Sequence, residues 1–176
     1  MSIEKNIKLL NFKGLTLLAW NLLFIFVEGG LKLMKEVGII LISHGEFAKY
    51  AMKSAEMIVG KQENYEIVSV TDDKDLQNVV EELKAVYEKV KNDREVIVLA
   101  DIFGGTPSNS SSSLLLGGAD VVVYTGFNLP VLLELLLIRE LPIEEIKRRV
   151  ENVYKETFIN VNDKLGRKEI FEYDSL

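Results

Sequence analysis

The chain alternates between short apolar runs and longer stretches of helical periodicity, from residue 34 to about residue 163. Val37–Ile42 is almost wholly apolar and β-branched, which is typical of a strand that is buried on both faces. Similar runs predict three more strands, Tyr65–Val70, Glu95–Ala100 and Ala119–Tyr124. Strands that alternate with helices indicate an α/β fold with a mostly parallel central sheet and helices on both of its faces.

The stretches between these runs have apolar residues at helical spacing, with glycine or proline near their ends. Asp72 and Asp73 are predicted to open the second helix, because a carboxylate in the first turn interacts favourably with the helix dipole. Pro107 suits the first turn of the third helix. A last strand is predicted at Phe158–Val161. The predicted helices are Glu46–Val59, Asp72–Val90, Asn109–Leu116, Val131–Arg139 and Ile143–Lys155.

Residues 1–33 do not share this pattern. Their apolar run, Leu15–Val27, is interrupted by Asn21 and is shorter than a membrane-spanning helix requires. Residues 28–30, Glu-Gly-Gly, can be encoded as GAA-GGA-GG, a bacterial ribosome-binding site that would lie a few codons before Met34. We therefore expect residues 1–33 to be upstream sequence translated from a misplaced start, with a membrane anchor or a signal peptide as alternatives. Mass spectrometry of the native N-terminus tests this, since a mature chain that starts before Met34 would contradict it.

The composition narrows the class of protein. Hydrophobic residues make up 48% of the 176 residues and charged residues 27%, so we expect one globular domain over residues 34–163 and a tail over residues 164–176. The net charge is −6 and no long basic run is present, which gives nucleic-acid binding no support. The chain has no cysteine and a single histidine, His44, which excludes disulfides, thiolate metal sites and a four-ligand structural zinc site.

Three loops are expected to meet at one edge of the sheet, because ligands bind at the carboxyl ends of parallel strands. His44 follows the first predicted strand, Asp101 and the loop 104–107 follow the third, and residues 126–128 follow the fourth. A helix is predicted after each loop, so free backbone N–H groups should point towards the same rim. Such groups bind anions.

His44 is the candidate nucleophile, because imidazole is near neutral at physiological pH and has a nucleophilic ring nitrogen. A surface or core histidine is the alternative. Asp101 either caps a turn or accepts a hydrogen bond from one imidazole nitrogen, which would fix the tautomer and leave the other nitrogen free. Gly104, Gly105 and Thr106 either form a plain turn or bring backbone amides and a hydroxyl group to phosphoryl oxygens.

The segment from Met34 to about Asp163 resembles the EIIA component of the mannose/fructose/sorbose family of the bacterial phosphoenolpyruvate-dependent sugar phosphotransferase system. Three stretches carry the resemblance through their combination, order and spacing: GIILISHGEFAKYAMKSAEMIVG, ADIFGGTPSN and YTGFNLPVLLE. Residues 1–33 have no counterpart in the free-standing subunits of this family. The tail after about Asp163 matches the family poorly.

This resemblance implies a phosphohistidine carrier, which is a phosphotransferase component. On that basis His44 takes a phosphoryl group from the phosphocarrier HPr and gives it to the IIB component, which phosphorylates sugar during uptake. The membrane components IIC and IID would be indirect partners. Asp101 would assist His44, and Gly104–Thr106 would hold the phosphoryl group. The residue before the histidine is often threonine in relatives, and Ser43 keeps this hydroxyl as a further phosphate-binding candidate.

The resemblance also implies a cytoplasmic protein and commonly a homodimer that exchanges a C-terminal strand. Phe158–Val161 is therefore a candidate for an antiparallel edge strand exchanged in a dimer. Phosphoryl transfer between two histidines needs no metal and no cofactor. Phe47, Phe103 and Phe127 are interpreted either as an apolar docking rim for partners or as core residues.

Three alternative functions use the same residues. A related phosphotransfer subunit that serves dihydroxyacetone kinase would have the same fold and histidine position but a different acceptor. A regulatory binding module would be phosphorylated on His44 only as a signal, and onward transfer to a IIB partner would separate it from a carrier. A Ser-His-Asp hydrolase needs only one histidine, but the chain lacks the G-x-S-x-G motif.

Overall fold

The computed structural model describes residues 35–165, so the predicted leader and most of the predicted tail lie outside the described residues. No helix within residues 35–165 is long and apolar enough to cross a membrane. The strands are β1 (Gly38–His44), β2 (Tyr65–Val70), β3 (Val96–Ala100) and β4 (Val121–Thr125). The helices are α1 (Phe47–Val59), α2 (Leu76–Val90), α3 (Thr106–Leu116), α4 (Leu129–Leu137), α5 (Ile143–Glu156) and α6 (Val161–Leu165).

The four strands form one parallel sheet in the order β2-β1-β3-β4. Ile39 of β1 lies opposite Tyr65 of β2 on one side and Ile97 of β3 on the other. The chain runs outward from β1 to β2 and then crosses back to β3, so the strand order reverses between β1 and β3. The connections leave the carboxyl ends of these two strands in opposite directions, which opens a crevice between them.

Alternate residues of β1 face two separate apolar layers, as predicted for a strand that is buried on both faces. Ile39 and Leu41 pack in the layer that contains α1, α4 and α5. Ile40 and Ile42 pack in the layer that contains α2 and α3. All four side chains are fully buried. The prediction of a central sheet covered by helices on both faces is confirmed.

The start of α2 differs from the prediction. Asp72 and Asp73 lie before the helix, and Asp75 is its N-cap. The Asp75 carboxylate accepts a hydrogen bond from the Asn78 N–H at 2.8 Å, and the Asn78 side chain accepts one from the Asp75 N–H. This reciprocal capping satisfies two N–H groups of the first turn and fixes the helix start at Leu76.

The strand predicted at Phe158–Val161 is wrong for this chain. Residues 158–160 have no regular secondary structure, and α6 starts at Val161. A strand is stable only when its N–H and C=O groups pair with a neighbour. Within residues 35–165 no strand pairs with the outer edge of β4, and the Phe158 side chain is fully exposed.

A buried arginine holds the end of the sheet that lies opposite the carboxyl ends of the strands. Arg139 is 2% exposed and donates hydrogen bonds to the main-chain carbonyls of Val37, Glu63 and Asn64. Burial lowers the pKa of Arg139, while the Glu36 carboxylate, 3.0 Å away, opposes this shift. Because one guanidinium satisfies several carbonyls, the start of β1 is fixed. The opposite end of the same strand therefore offers a rigid support for His44.

Candidate active site

The single histidine lies at the switch point of the sheet. His44 is the last residue of β1, and Asp101 directly follows β3, the neighbouring strand. Nδ1 of His44 is 2.8 Å from Oδ2 of Asp101. The same oxygen accepts a hydrogen bond from the His44 main-chain N–H at 2.8 Å, and Oδ1 accepts one from the Ile102 N–H at 2.8 Å. The carboxylate is thus held by two main-chain groups and in turn holds the imidazole ring.

This arrangement selects one nitrogen of the His44 ring for chemistry. A neutral imidazole that donates its Nδ1–H to Asp101 keeps a lone pair on Nε2. No residue within 35–165 forms a hydrogen bond to Nε2. The His44 side chain is 50% exposed, whereas that of Asp101 is 15% exposed. Nε2 is therefore the ring nitrogen that is accessible with a free lone pair, and Asp101 orients the ring through Nδ1.

Gly105 lies directly against the reactive edge of the His44 ring. A Cβ atom at Gly105 would be 2.7 Å from Cε1 of His44 and 3.2 Å from Nε2. The φ angle of Gly105 is −81°, which any residue can adopt, so the position requires the absence of a side chain and not unusual backbone freedom. The backbone of this loop can therefore approach a group bound to Nε2.

On the expectation that His44 accepts a phosphoryl group, which the resemblance implies, we predict that Gly105→Ala slows this step strongly while the protein stays folded. The added methyl group would displace the half-exposed ring, and with it the 2.8 Å contact to Asp101. A displacement on the ångström scale can slow a reaction about 100-fold. The time course of phosphorylation, followed by intact mass, measures the effect. Gly117→Ala, at the far end of α3, is the matched control for adding a methyl group. A wild-type rate for Gly105→Ala would show that the ring does not depend on this contact.

The N-terminus of α3 lies beside the same ring. The first hydrogen bond of the helix runs from the Asn109 N–H to the Gly105 carbonyl at 3.0 Å. The N–H groups of Thr106 and Ser108 precede this bond, and Pro107 has no N–H. Thr106 and His44 line one open cleft of about 440 Å3. Free N–H groups and the positive end of the helix dipole make this cleft suitable for an anion.

Two predicted phosphate-binding residues are engaged elsewhere. The Gly104 N–H donates to Oγ of Ser108 at 2.8 Å, so this amide is already paired. Ser43 is fully buried, and its hydroxyl accepts a hydrogen bond from the Ala48 N–H at 2.8 Å. Ser43 thus fixes the first turn of α1 behind His44. The Ser43 hydroxyl is therefore turned away from the cleft, and its role in phosphate binding stays a prediction.

The cations around the cleft are neutralised by carboxylates. Lys74 is the cationic side chain that lines the cleft, and its Nζ is 2.7 Å from Oε2 of Glu82. Lys49 pairs with Glu46, and this hydrogen bond lowers the pKa of the Glu46 carboxyl. Positive potential for an anion therefore comes mainly from the peptide groups of α3.

The loop after β4 contributes less to the cleft than predicted. The Gly126 N–H donates to the Ala100 carbonyl at 3.0 Å. The Asn128 side chain caps α4 by accepting a hydrogen bond from the Val131 N–H at 2.9 Å. The Gly126 N–H and the Asn128 side-chain oxygen are thus used within the scaffold, and neither residue lines the cleft that contains His44.

The three phenylalanines expected at a docking rim or in the core differ in their exposure. Phe127 is buried, and its ring centroid is 5.1 Å from that of Phe47. Phe47 is half exposed and Phe103 is 84% exposed. Ile102, which follows Asp101, is also exposed. Exposed apolar side chains therefore lie close in sequence to His44 and Asp101, and Phe127 packs against one of them, Phe47, from the core.

Sequence reasoning missed Ser108 and Asn109. Ser108 is buried, and the Asn109 side-chain amide donates to the Gly104 carbonyl at 3.2 Å. Both residues stand in the first turn of α3, where polar side chains commonly bond to nearby backbone groups. Their position directly after Pro107 was the available signal.

The fold and the site together define a class of protein. It is a parallel α/β protein with an exposed histidine at the switch point of its sheet, where the ring contacts a carboxylate and lies beside the N-terminus of a helix, a location suited to an anion.

Comparisons with known proteins identify the family. Residues 38–153 match the family EIIA-man, described as the PTS system fructose IIA component. The fructose-specific EIIA component of Bacillus subtilis (strain 168) is 29% identical over 123 residues, which cover 69% of this chain and 84% of that protein. The mannose-specific EIIAB component of Escherichia coli (strain K12) is 30% identical over 104 residues, which cover 59% of this chain but 32% of that protein. The chain thus matches about a third of the longer relative.

A solved structure supports the same assignment. The PTS IIA protein associated with the fucose utilization operon of Streptococcus pneumoniae superimposes with a TM-score of 0.65 at 30% identity, covering 76% of this chain and 99% of that chain. The present chain belongs to the EIIA-man family and is a phosphotransfer component of the phosphotransferase system.

Proposed function

We propose that this EIIA component accepts a phosphoryl group from HPr on Nε2 of His44 and passes it to a IIB component during sugar uptake. The observation that carries the proposal is the 2.8 Å contact between Nδ1 of His44 and Asp101, which leaves Nε2 facing the Gly105–Thr106 backbone. Membership of the family supports this choice over a hydrolase or an unrelated binding module.

The proposed chemistry is an in-line displacement at phosphorus. The Nε2 lone pair of His44 forms the new P–N bond, and the P–N bond of the donor breaks, with its electron pair returning to the donor imidazole. His44 keeps its Nδ1 proton and becomes a phosphorylated imidazolium, which the Asp101 carboxylate stabilises. Donors at the start of α3, including the Thr106 hydroxyl, would bind the phosphoryl oxygens. Transfer to IIB is the same step in the opposite direction.

The exposed apolar side chains around the site are suited to transient docking. Ile102 and Phe103 project beside Asp101, and Phe47 lies three residues after His44. We propose that HPr and IIB use this rim in turn, since HPr must bring its phosphorylated imidazole, and IIB its phosphoryl-accepting group, to the same atom. The membrane components IIC and IID would take part only through IIB, and the chain would act in the cytoplasm.

We also propose that two copies of the chain form a homodimer. Among the described residues no strand covers the outer edge of β4, and open sheet edges are pairing sites. Leu116 and Phe158 are exposed apolar side chains that a second copy could cover. Sedimentation equilibrium measures the mass in solution, and a monomer at high protein concentration would contradict this proposal.

The function is tested by reconstitution. The purified chain is incubated with phosphoenolpyruvate, enzyme I and HPr, and its intact mass is recorded before and after acid treatment. We expect a single acid-labile phosphoryl adduct, which disappears when a IIB domain is added. Omission of HPr is the control. An adduct that no IIB domain removes would favour the regulatory module, and one removed only by a dihydroxyacetone kinase subunit would favour the related phosphotransfer function. A folded protein without any adduct would contradict the proposal.

A further inference from the structure

One buried hydroxyl ties the loop beside His44 to the helix behind it. Ser108 is 3% exposed. Its Oγ accepts a hydrogen bond from the Gly104 N–H at 2.8 Å and donates one to the Gly105 carbonyl at 3.1 Å. The same hydroxyl therefore bonds to main-chain groups of two successive residues, and the second of these residues packs against the His44 ring.

The bonding of Ser108 differs from that of the later serines in the same helix. Ser110, Ser111, Ser112 and Ser113 each donate to the carbonyl four residues earlier, within or at the start of α3. Ser108 instead bonds to the loop that precedes the helix. Its hydroxyl thus fixes the conformation of the loop.

The loop that contains Gly104 and Gly105 needs a restraint such as the hydrogen bonds of the Ser108 hydroxyl. Gly104 has a φ angle of +85°, a region that glycine enters freely but does not prefer over others. Two adjacent glycines have high conformational entropy in the absence of contacts. The distance available between Gly105 and the His44 ring is small, since even a methyl group would be 2.7 Å from Cε1. A small shift of the loop would therefore reach the ring directly.

We propose that Ser108 is a positioning residue for phosphoryl transfer, in which its hydroxyl clamps Gly104 and Gly105 against the imidazole of His44. This inference rests on the proposed function of His44 as the phosphoryl acceptor. The clamp keeps the ring in contact with Asp101 through Nδ1 and keeps Nε2 directed towards the N-terminus of α3. Ser108 acts through the loop and does not itself touch the phosphoryl group.

Variants of the full chain separate positioning from stability. Ser108→Ala removes the hydroxyl, and Ser108→Cys keeps the side-chain volume but hydrogen-bonds weakly. Ser108→Thr keeps a hydroxyl and is the conservative variant. Ser111→Ala is the matched control, because Ser111 is also buried and its hydroxyl donates to the Pro107 carbonyl within α3 at 2.8 Å.

Two measurements are made on each variant. The first is the rate of phosphorylation by phospho-HPr, for which we expect a loss of about 10- to 100-fold in Ser108→Ala and Ser108→Cys and partial or full rescue in Ser108→Thr. The second is the ¹⁵N spectrum of the imidazole, which reports the tautomer and is unambiguous because His44 is the only histidine. We expect the population with the proton on Nδ1 to fall in the slow variants and to stay at the wild-type level in Ser111→Ala.

The outcomes distinguish this inference from the proposed function. Equal rates and equal tautomer populations in Ser108→Cys and wild type would overturn the positioning role. An equal loss in Ser111→Ala would also overturn it, since it would reflect the stability of α3 alone. A wild-type chain that accepts no phosphoryl group would contradict the function of His44, while the tautomer comparison would still decide whether Ser108 orients the ring.

Discussion

Replacing His44 by glutamine will abolish phosphoryl acceptance while leaving the fold intact. Glutamine has no nucleophilic ring nitrogen, and the chain has no second histidine that could substitute. Loss of the nucleophile in an enzyme site can cost about 10⁶-fold in rate, so the adduct should fall below detection by intact mass. The His44 side chain is half exposed, and among residues 35–165 its ring bonds only to Asp101, so the free energy of unfolding should change by about 1 kcal/mol or less.

The control for this experiment is the substitution of an exposed residue that does not line the cleft. Gln77→Ala removes a side chain on α2 whose amide donates to Oε1 of Glu81 at 3.0 Å. It should be phosphorylated at the wild-type rate. A residual acid-labile adduct on His44→Gln would show that another residue receives the phosphoryl group, and peptide mapping would locate it.

The sheet could be predicted from the sequence because its strands are short apolar runs bounded by polar or glycine residues. The predicted Tyr65–Val70 has the bounds of β2, and the predicted first strand differs from β1 by one residue at its start and two at its end. Burial on both faces removes the need for a polar face, so the runs stand out from the surrounding helices. The pattern does not reveal strand order, which depends on how the crossover helices pack.

Two predictions of secondary structure were wrong, the start of α2 and the last strand, because the local sequence is compatible with more than one structure. Asp72, Asp73 and Asp75 are all good residues for a helix start, and only the contact between Asp75 and Asn78 decides among them. Phe158–Val161 has strand-like composition, but a strand also needs a partner, and the sequence of one chain cannot supply that information. In both cases the secondary structure depends on a contact with another residue or strand, which the local pattern of hydrophobic and polar positions does not specify.

The candidate site likewise has features that could be predicted from the sequence and others that could not. His44 and Asp101 could be paired from sequence because both follow buried strands, and neighbouring parallel strands end at one edge. The direction of individual hydrogen-bonding groups could not be predicted. Ser43 alternates to the buried face of β1, and the Gly104 N–H turns towards Ser108. The direction of the Gly104 N–H depends on loop torsion angles that glycine leaves open.

Asp101→Asn will slow phosphorylation of His44 by about 10²- to 10⁴-fold, the range in which loss of an orienting carboxylate acts in histidine-based catalysis. The physical reason is a conflict among donors. Oδ2 of Asp101 faces the N–H and Nδ1 of His44, while Oδ1 faces the N–H of Ile102. An asparagine NH₂ placed towards His44 forces the ring proton onto Nε2, which removes the nucleophilic lone pair. Placed towards Ile102, it preserves the tautomer but opposes a main-chain donor.

Either orientation also removes the negative charge that stabilises the phosphorylated imidazolium, so the rate falls in both cases. One unsatisfied donor should in addition lower the free energy of unfolding by about 1–3 kcal/mol, measurable by urea denaturation. Asp75→Asn is the matched control, because it removes the same charge at an N-cap where asparagine serves as well as aspartate. The ¹⁵N spectrum of His44 distinguishes the two orientations. Phosphorylation of Asp101→Asn at the wild-type rate would show that His44 acts without its carboxylate partner, and the site would then depend on the α3 terminus alone.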